Sequence, residues 1–317
     1  MRVIPLAADS LGVRSMATYV EAGGVRVLID PGAVLTQNRG GLPPSPPERE
    51  ALRRADDRIS GYAARAGLVF ISHYHEEHFR YDPGLYAGRT VWAKDPGRQV
   101  GGAQRQRAAD LRRALGAGAR LEGAEGRRLE VGETLLEVSG PLPHGEDGSP
   151  LGHVLALVVT DRLEGRRFVF ASDVQGPMSP VVAAWLIRQR PSLVYLSGPP
   201  SYLEREVGRP LIEQGVDHCL AVVAATGCRV IMDHYGVRDP RYRERFARLW
   251  QTGRVVTAAE FLGVTGAPLE ARRRELWVEA RKPPAAVDRP PALKPAPEPA
   301  IMRPRTPFAK RRGGRSA

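Results

Sequence analysis

Only two of the 317 residues are cysteine, and Cys219 and Cys228 are not at a zinc-binding or redox spacing. Both stand in apolar surroundings, which predicts buried, reduced thiols and a reducing compartment. No apolar run approaches the length needed to cross a bilayer. The opening Met1-Arg-Val-Ile-Pro-Leu-Ala-Ala-Asp9 lacks the long apolar stretch of a secretory signal. No internal repeat recurs at a fixed period. These absences exclude a disulfide-stapled secreted domain and a helical membrane protein, and the expectation is a soluble, cytoplasmic chain with no membrane partner.

Charge of one sign is plentiful, with a formal net charge of +12, but it is unevenly distributed. Ten Lys/Arg stand against two Asp/Glu between Arg281 and Ala317, leaving thirty-seven against thirty-three in residues 1–280. The same 37 residues hold nine of the 28 prolines and few large apolar side chains, so they cannot build a core. They predict a disordered basic tail, residues 281–317. Such a tail is suited to weak, nonspecific nucleic-acid binding by phosphate neutralisation, or to solubility alone.

Histidine is scarce as well, with seven in the chain, yet three fall within six residues in Ser72-His73-Tyr74-His75-Glu76-Glu77-His78-Phe79. This segment follows the apolar run Gly67-Leu-Val-Phe-Ile71, which reads as a buried strand. His73 and His75 are two apart and leave an extended backbone on one side. With Glu77 and His78 at the following turn, this is the ligand chemistry of a zinc or iron centre. The same order of strand and then ligand recurs. His144 lies in Pro141-Leu-Pro-His-Gly145 after the strand Thr134–Val138, Asp173 ends Arg167-Phe-Val-Phe-Ala-Ser-Asp173, and His234 ends Arg229-Val-Ile-Met-Asp-His234. Each has an alternative: a surface imidazole for His144, a helix N-cap for Asp173. Asp30, after Val25–Ile29, is expected to hold its loop by accepting backbone N–H bonds. Asp233 either orients His234 or faces solvent. His153 and His218 read as rim and structural histidines.

Strands alternate with helices, which argues for an α/β architecture. The pattern predicts a meander near Arg2–Leu6, Met16–Glu21 and Val25–Ile29. A helix capped by Ser45, with Glu48 completing a capping box, runs to about Arg65. Further helices are expected over Gln99–Leu115, Val181–Arg190, Leu211–Thr226, Pro240–Trp250 and Ala258–Leu262. Strands are expected over Thr134–Val138, His153–Thr160, Arg167–Ala171, Leu193–Leu196 and Cys228–Met232.

The ordered series of Asp30, the Ser72–Phe79 cluster, His144, Asp173 and His234 resembles the metallo-β-lactamase superfamily over roughly residues 1–265. Ser10-Leu-Gly-Val-Arg-Ser-Met-Ala-Thr18, Ser172-Asp-Val-Gln-Gly-Pro177 and Asp233-His234 look like a mostly archaeal branch of it. The resemblance implies an αββα sandwich over 1–265, followed by a connecting segment, 266–280, and the tail. It implies two divalent metal ions, zinc first, with iron or manganese as alternatives. His73, His75 and His144 would hold one ion and Glu77, His78 and His234 the other, with Asp173 shared; Asp173 and Glu77 would be the catalytic carboxylates. The implied activity is hydrolysis of an unidentified phosphodiester, ester or thioester by a metal-bound hydroxide. The segment between Asp173 and His234 is too short for the domain inserted in RNA-cleaving members. Glu77 stands where the family pattern has Asp, and Tyr235 where a second His would be natural. The competing reading is a non-catalytic metal-binding protein whose tail recruits nucleic acid; a redox iron centre ranks third.

Overall fold

A computed structural model describes residues 1–281 of the chain. The compact unit runs from Met1 to Ala280. The expected tail, from Arg281 onward, lies outside the described residues apart from Arg281 itself, the last residue of a helix.

One sheet has six strands in sequence order: β1 (Arg2–Pro5), β2 (Thr18–Ala22), β3 (Val25–Ile29), β4 (Leu68–Ile71), β5 (Thr90–Ala93) and β6 (Arg120–Gly123). The first three form the expected antiparallel meander, and β3 to β6 are parallel. The chain continues through β7 (Arg128–Val131), β8 (Thr134–Val138), the small pair β9 (Leu142–Pro143) and β10 (His153–Val154), then β11 (Leu157–Asp161), β12 (Arg166–Ser172), β13 (Leu193–Ser197), β14 (Arg229–Asp233) and β15 (Val255–Val256). Apart from β9 and β10, these make a seven-stranded sheet ordered β15-β14-β13-β12-β11-β8-β7, in which β12 to β15 are parallel.

Layering follows from the two faces of each strand. In β4, Leu68 and Phe70 turn inward and meet Phe168 and Phe170 of β12 and Ile231 of β14 between the sheets. Val69 and Ile71 point the other way, onto α1 (Pro46–Ala63) and α2 (Gly102–Leu115). The second sheet turns Val169, Val194 and Val230 outward onto α3 (Pro180–Gln189) and, after the short α4 (Glu204–Val207), onto α5 (Arg209–Thr226). The product is an αββα sandwich, the layering expected over residues 1–265. Strand segments buried on both faces must be apolar, which is why β4 and residues Phe168–Ala171 of β12 read as hydrophobic runs. No helix among the described residues is long and apolar enough to cross a membrane.

Three expectations need correction. His153–Thr160 is not one strand: the Leu155 N–H bonds the Ser72 carbonyl at 3.0 Å, and the Ala156 N–H bonds Ser139 Oγ at 2.9 Å. These bonds divert the chain between β10 and β11. Pro240–Trp250 is two short helices, α6 (Tyr242–Arg245) and α7 (Ala247–Trp250), interrupted at Phe246, which is buried. Residues 266–280, expected only to connect, follow α8 (Ala258–Phe261) and contain most of α9 (Arg273–Arg281). Arg273 is buried there against Glu48, with its Nη2 2.7 Å and Nε 3.0 Å from Glu48 Oε1. Glu48 thus serves twice, because its Oε2 also accepts the Ser45 N–H and hydroxyl, each at 2.8 Å.

Removing one partner from this buried ion pair should be costly. Arg273→Ala is expected to lower stability by about 3–5 kcal/mol, because it leaves Glu48 charged and uncompensated. Urea unfolding of the variant with an unshifted midpoint would show that α9 does not anchor the domain. Burial pushes the Cys219 thiol up to about 12 and raises that of Cys228. Neither thiol should therefore react with iodoacetamide at pH 8 in the native chain, and both should react in urea. Rapid labelling of the native protein would contradict that placement.

Candidate metal centre

Parallel strands bring their carboxyl ends to one edge, and the candidate residues follow those ends. Asp30 follows β3, Ser72 and His73 follow β4, Asp173 follows β12, and His234 follows β14. The turns that aim them are strained: Asp30, Ser172 and His234 have φ of 44°, 55° and 58°, a region that residues other than glycine seldom occupy. The pairing of β12 with β13 also slips between Phe170 and Ser172, which redirects Asp173 inward. Gly32 lets two loops touch. A Cβ there would lie 2.6 Å from the carbonyl carbon of Glu77 and would collide with the Phe79 nitrogen.

All seven predicted ligands are brought together. Ligand atoms of His73, His75, His144 and Asp173 lie within 4.8 Å of one another, and so do those of Glu77, His78 and His234. Asp173 reaches both groups. Its Oδ2 is 3.5 Å from His73 Nε2, 3.6 Å from His144 Nε2 and 3.3 Å from His78 Nε2, while its Oδ1 is 3.6 Å from His234 Nε2. Glu77 Oε1 stands 3.7 Å from His234 Nε2.

Hydrogen bonds behind the rings determine which nitrogen faces inward. Asp30 Oδ1 accepts the Ser72 N–H at 2.7 Å, and its Oδ2 accepts the Ser72 hydroxyl at 2.6 Å. The single Ser72 proton is then used. Its oxygen must accept from Ser172 Oγ at 2.7 Å and from His73 Nδ1 at 2.9 Å, so His73 carries hydrogen on Nδ1 and turns a bare Nε2 inward. His78 Nδ1 lies 2.7 Å from Asp30 Oδ2, and His234 Nδ1 lies 2.7 Å from Asp9 Oδ2. Asp30 also belongs to a group of three possible ligands with His73 and His78. Its oxygens are already occupied by donors on the outer side of the rings, however, so it orients imidazoles rather than joining them, and the backbone N–H it was expected to accept is that of Ser72.

Several sequence-level alternatives are resolved by position. Asp233 is buried and accepts the N–H groups of Ser10 at 2.9 Å, His234 at 2.8 Å and Ala258 at 2.9 Å, so it secures the turn and does not face solvent. Asp173 caps no helix, since Ser179 is the N-cap of α3. His153 is partly exposed on β10, and His218 Nδ1 contacts the Pro177 carbonyl at 3.0 Å; neither belongs to the ligand groups. Sequence reasoning missed Asp9 and Arg238. Arg238 is buried, with its Nε 2.7 Å from Asp9 Oδ1. The only sequence signal for it was a cation four residues after His234.

The electrostatics prepare the site for cations. Burial holds His73 below, and His144 well below, the ordinary imidazole value, and takes His75 down to about 3, so all three are neutral lone-pair donors at pH 7. The 3.5 Å approach of His73 to Asp173 is therefore not an ion pair. Burial works against the charge on Glu77 and Asp173, but His234 and His78 outweigh it. They hold Glu77 at about 2 and Asp173 well below the carboxylate range. For His78, burial is overcome by Asp173 and Asp30, which hold its proton well above the ordinary value. That proton marks where positive charge is most favoured.

The buried Nε2 atoms of His73, His78 and His144 and both oxygens of Asp173 have no hydrogen-bond partner. Orphaned polar atoms in a dry interior are costly, and these converge on shared points. Five imidazoles and two carboxylates at these separations fit a pair of divalent cations, with one ion in each group and Asp173 between them.

No family model matches the chain. It is 42% identical over 295 residues to a UPF0282 protein of Thermococcus gammatolerans, covering 89% of this chain and 96% of that one. It is 43% identical over 295 residues to a UPF0282 protein of Aeropyrum pernix, covering 87% and 98%. Among solved structures it is similar to an isothiocyanate hydrolase from Delia radicum gut bacteria, with 15% identity, a TM-score of 0.48, and coverage of 78% of this chain and 94% of that one.

Asp9→Asn should test the outer support of His234, because a neutral amide cannot balance Arg238 and holds Nδ1–H less firmly. The expected outcome is a 10–100-fold loss of metal affinity in the Glu77 group, read by chelator competition. Unchanged affinity would show that Asp9 serves folding alone.

Proposed function

The chain belongs to the UPF0282 family, and from that premise and its metallo-β-lactamase architecture we propose that it is a metal-dependent hydrolase holding two divalent cations. The observation that carries this reading is Asp173, one buried carboxylate that reaches both ligand groups, with Oδ2 near His73, His144 and His78 and Oδ1 near His234. His73, His75 and His144 would hold one ion and Glu77, His78 and His234 the other. A nitrogen-rich set without a thiolate suits zinc first, with iron and manganese as alternatives. Bound there, the ions would supply an acidified water and take up charge developing on the electrophile.

The chain's own residues have distinct tasks in this reading. Asp30 and Asp9 keep His78 and His234 turned inward from behind, and Ser72 does the same for His73. Tyr235 packs with its ring centroid 4.7 Å from that of His234 and 6.3 Å from that of His144. Burial, reinforced by Asp173 and Glu77, keeps its hydroxyl protonated well above the ordinary value. It therefore stays a neutral phenol packed against two of the candidate ligands. No serine or cysteine nucleophile is required. The basic tail is proposed separately as a weak, nonspecific nucleic-acid contact that contributes no ligand, since every candidate precedes it.

Metal content per chain tests the reading. The wild-type protein is expected to carry two ions by elemental analysis, and replacing His73 and His75 together by Ala should remove the ion of the first group. A double variant with wild-type content would refute the ligand assignment. One ion in the wild type would favour a non-catalytic metal protein, and none would remove both readings.

A further inference from the structure

We propose that this site acts on acyl compounds with an apolar body, esters or thioesters of medium chain length, rather than on polyanionic phosphodiesters; this rests on the hydrolase reading. A cleft of about 750 Å³ reaches Glu77 itself. That volume lies within the range of small-molecule sites. Its wall is built from the loop after β3 and the start of α1, with Val34, Leu35, Pro43, Pro44 and Leu52 among its lining. Leu35 and Leu52 pack their inner sides on the helix-facing core and leave the remainder to the cleft.

The cleft's charges leave a single uncompensated cation for a polyanion. Two arginines, Arg14 and Arg49, line it with two glutamates, Glu76 and Glu77. Arg14 is bound by Glu270 through both Nε at 2.5 Å and Nη2 at 2.6 Å. Glu76 has Arg107 Nε at 3.3 Å. Only Arg49 lacks a carboxylate within 4 Å among the described residues, and its Nη1 donates to the Pro44 carbonyl at 2.5 Å. Phosphodiester polymers are gripped through several uncompensated cations, and this cleft presents one.

In a second cleft of about 750 Å³, Arg39, Arg209 and Arg245 are paired with carboxylates, and Arg205 and Arg241 have none within 4 Å among the described residues. None of the seven candidate ligands lines it. It can hold an anion, but not over the groups that would do the chemistry. The cleft that touches the metal centre is the one with an apolar wall, Val34, Leu35, Pro43, Pro44 and Leu52, facing Thr36, Gln37 and the charged groups named above.

The full-length protein should be assayed with p-nitrophenyl acetate, butyrate, hexanoate and octanoate and with bis(p-nitrophenyl) phosphate. Each methylene that enters the cleft should raise kcat/KM about fourfold until the cleft is full, with the phosphodiester the poorest substrate. Leu35→Trp narrows the cleft without adding charge and should shift the optimum to a shorter acyl chain, mainly through KM. A flat chain-length profile, or a preference for the phosphodiester, would overturn the acyl assignment and leave the hydrolase reading standing. Failure to turn over any probe with two ions bound would instead overturn the hydrolase reading. Calorimetric binding of acetate, butyrate and hexanoate to the protein as purified decides the cleft independently of turnover and of the folding of the variant. Affinity rising with length supports the assignment, and length-independent affinity overturns it.

Discussion

The Asp30 carboxylate is the constraint on which the candidate centre depends. It is fully buried, and its two oxygens accept three hydrogen bonds: the Ser72 N–H, the Ser72 hydroxyl and His78 Nδ1. Ser172, from the opposite sheet, reaches Ser72 at 2.7 Å and Asp30 itself at 3.5 Å. One side chain thereby ties the ends of β3, β4 and β12 together across the sandwich. A buried carboxylate without such donors would be strongly destabilising. Satisfied by them, it gives those donors only one arrangement. The same bonds that make Asp30 tolerable also settle the tautomer of His73 and the ring orientation of His78, so sheet packing and ligand orientation are a single requirement. The left-handed backbone at Asp30 and Ser172 is sustained by this knot.

The legible parts of the fold were those where local sequence and burial coincide. Strands β4, β12 and β14 are covered on both faces, so they appear as apolar runs, and a polar ligand immediately after each run stands out. The Ser45–Glu48 capping box was visible for the same reason, since its partners are three residues apart. What stayed hidden depends on distant contacts. Asp9 meets His234 across 225 residues and Arg273 meets Glu48 across the same separation, and no periodicity encodes either. Strand β7 is exposed along its length and reads as Arg-Leu-Glu-Val, without the apolar signature of an interior strand. The His153–Thr160 run looked continuous because its side chains are apolar, whereas the break is made by backbone N–H groups bonded to Ser72 and Ser139.

Charge balance explains why so many polar side chains share one interior. Asp9, Asp30, Asp173 and Asp233 are buried around the rings, and Glu77 is nearly so. Against them the permanent cation in contact is Arg238, bonded to Asp9 and 3.7 Å from Glu77. Burial leaves His73, His75 and His144 neutral, so they cannot make up the difference. Burial also raises Asp233, with Asp9 adding to it, which is one way for the interior to shed negative charge. Asp173 has no comparable outlet: neither of its oxygens has a hydrogen-bond donor. A site that gathers carboxylates while keeping three of its five imidazoles uncharged is arranged for more positive charge than Arg238 and His78 supply.

Glu77 shows how this balance constrains a single methylene. Its backbone is pressed against Gly32, so the main chain cannot retreat to make room for the longer side chain. The carboxylate is displaced outward instead, with Oε1 3.7 Å from both His234 Nε2 and Arg238 Nη2, and its side chain keeps 13% exposure where Asp173 has none. An aspartate on the same backbone would stop short of Arg238. Glutamate at this position therefore shares its charge between the ligand group and the buried arginine that Asp9 also holds. The second ligand group is coupled through Arg238 to the Asp9–His234 contact and the first is supported through Ser72, while Asp30 stands behind both, bonded to Ser72 and to His78. The two halves of the centre therefore share Asp30 as an outer support and Asp173 as an inner one, so a change at either carboxylate should reach both ligand groups.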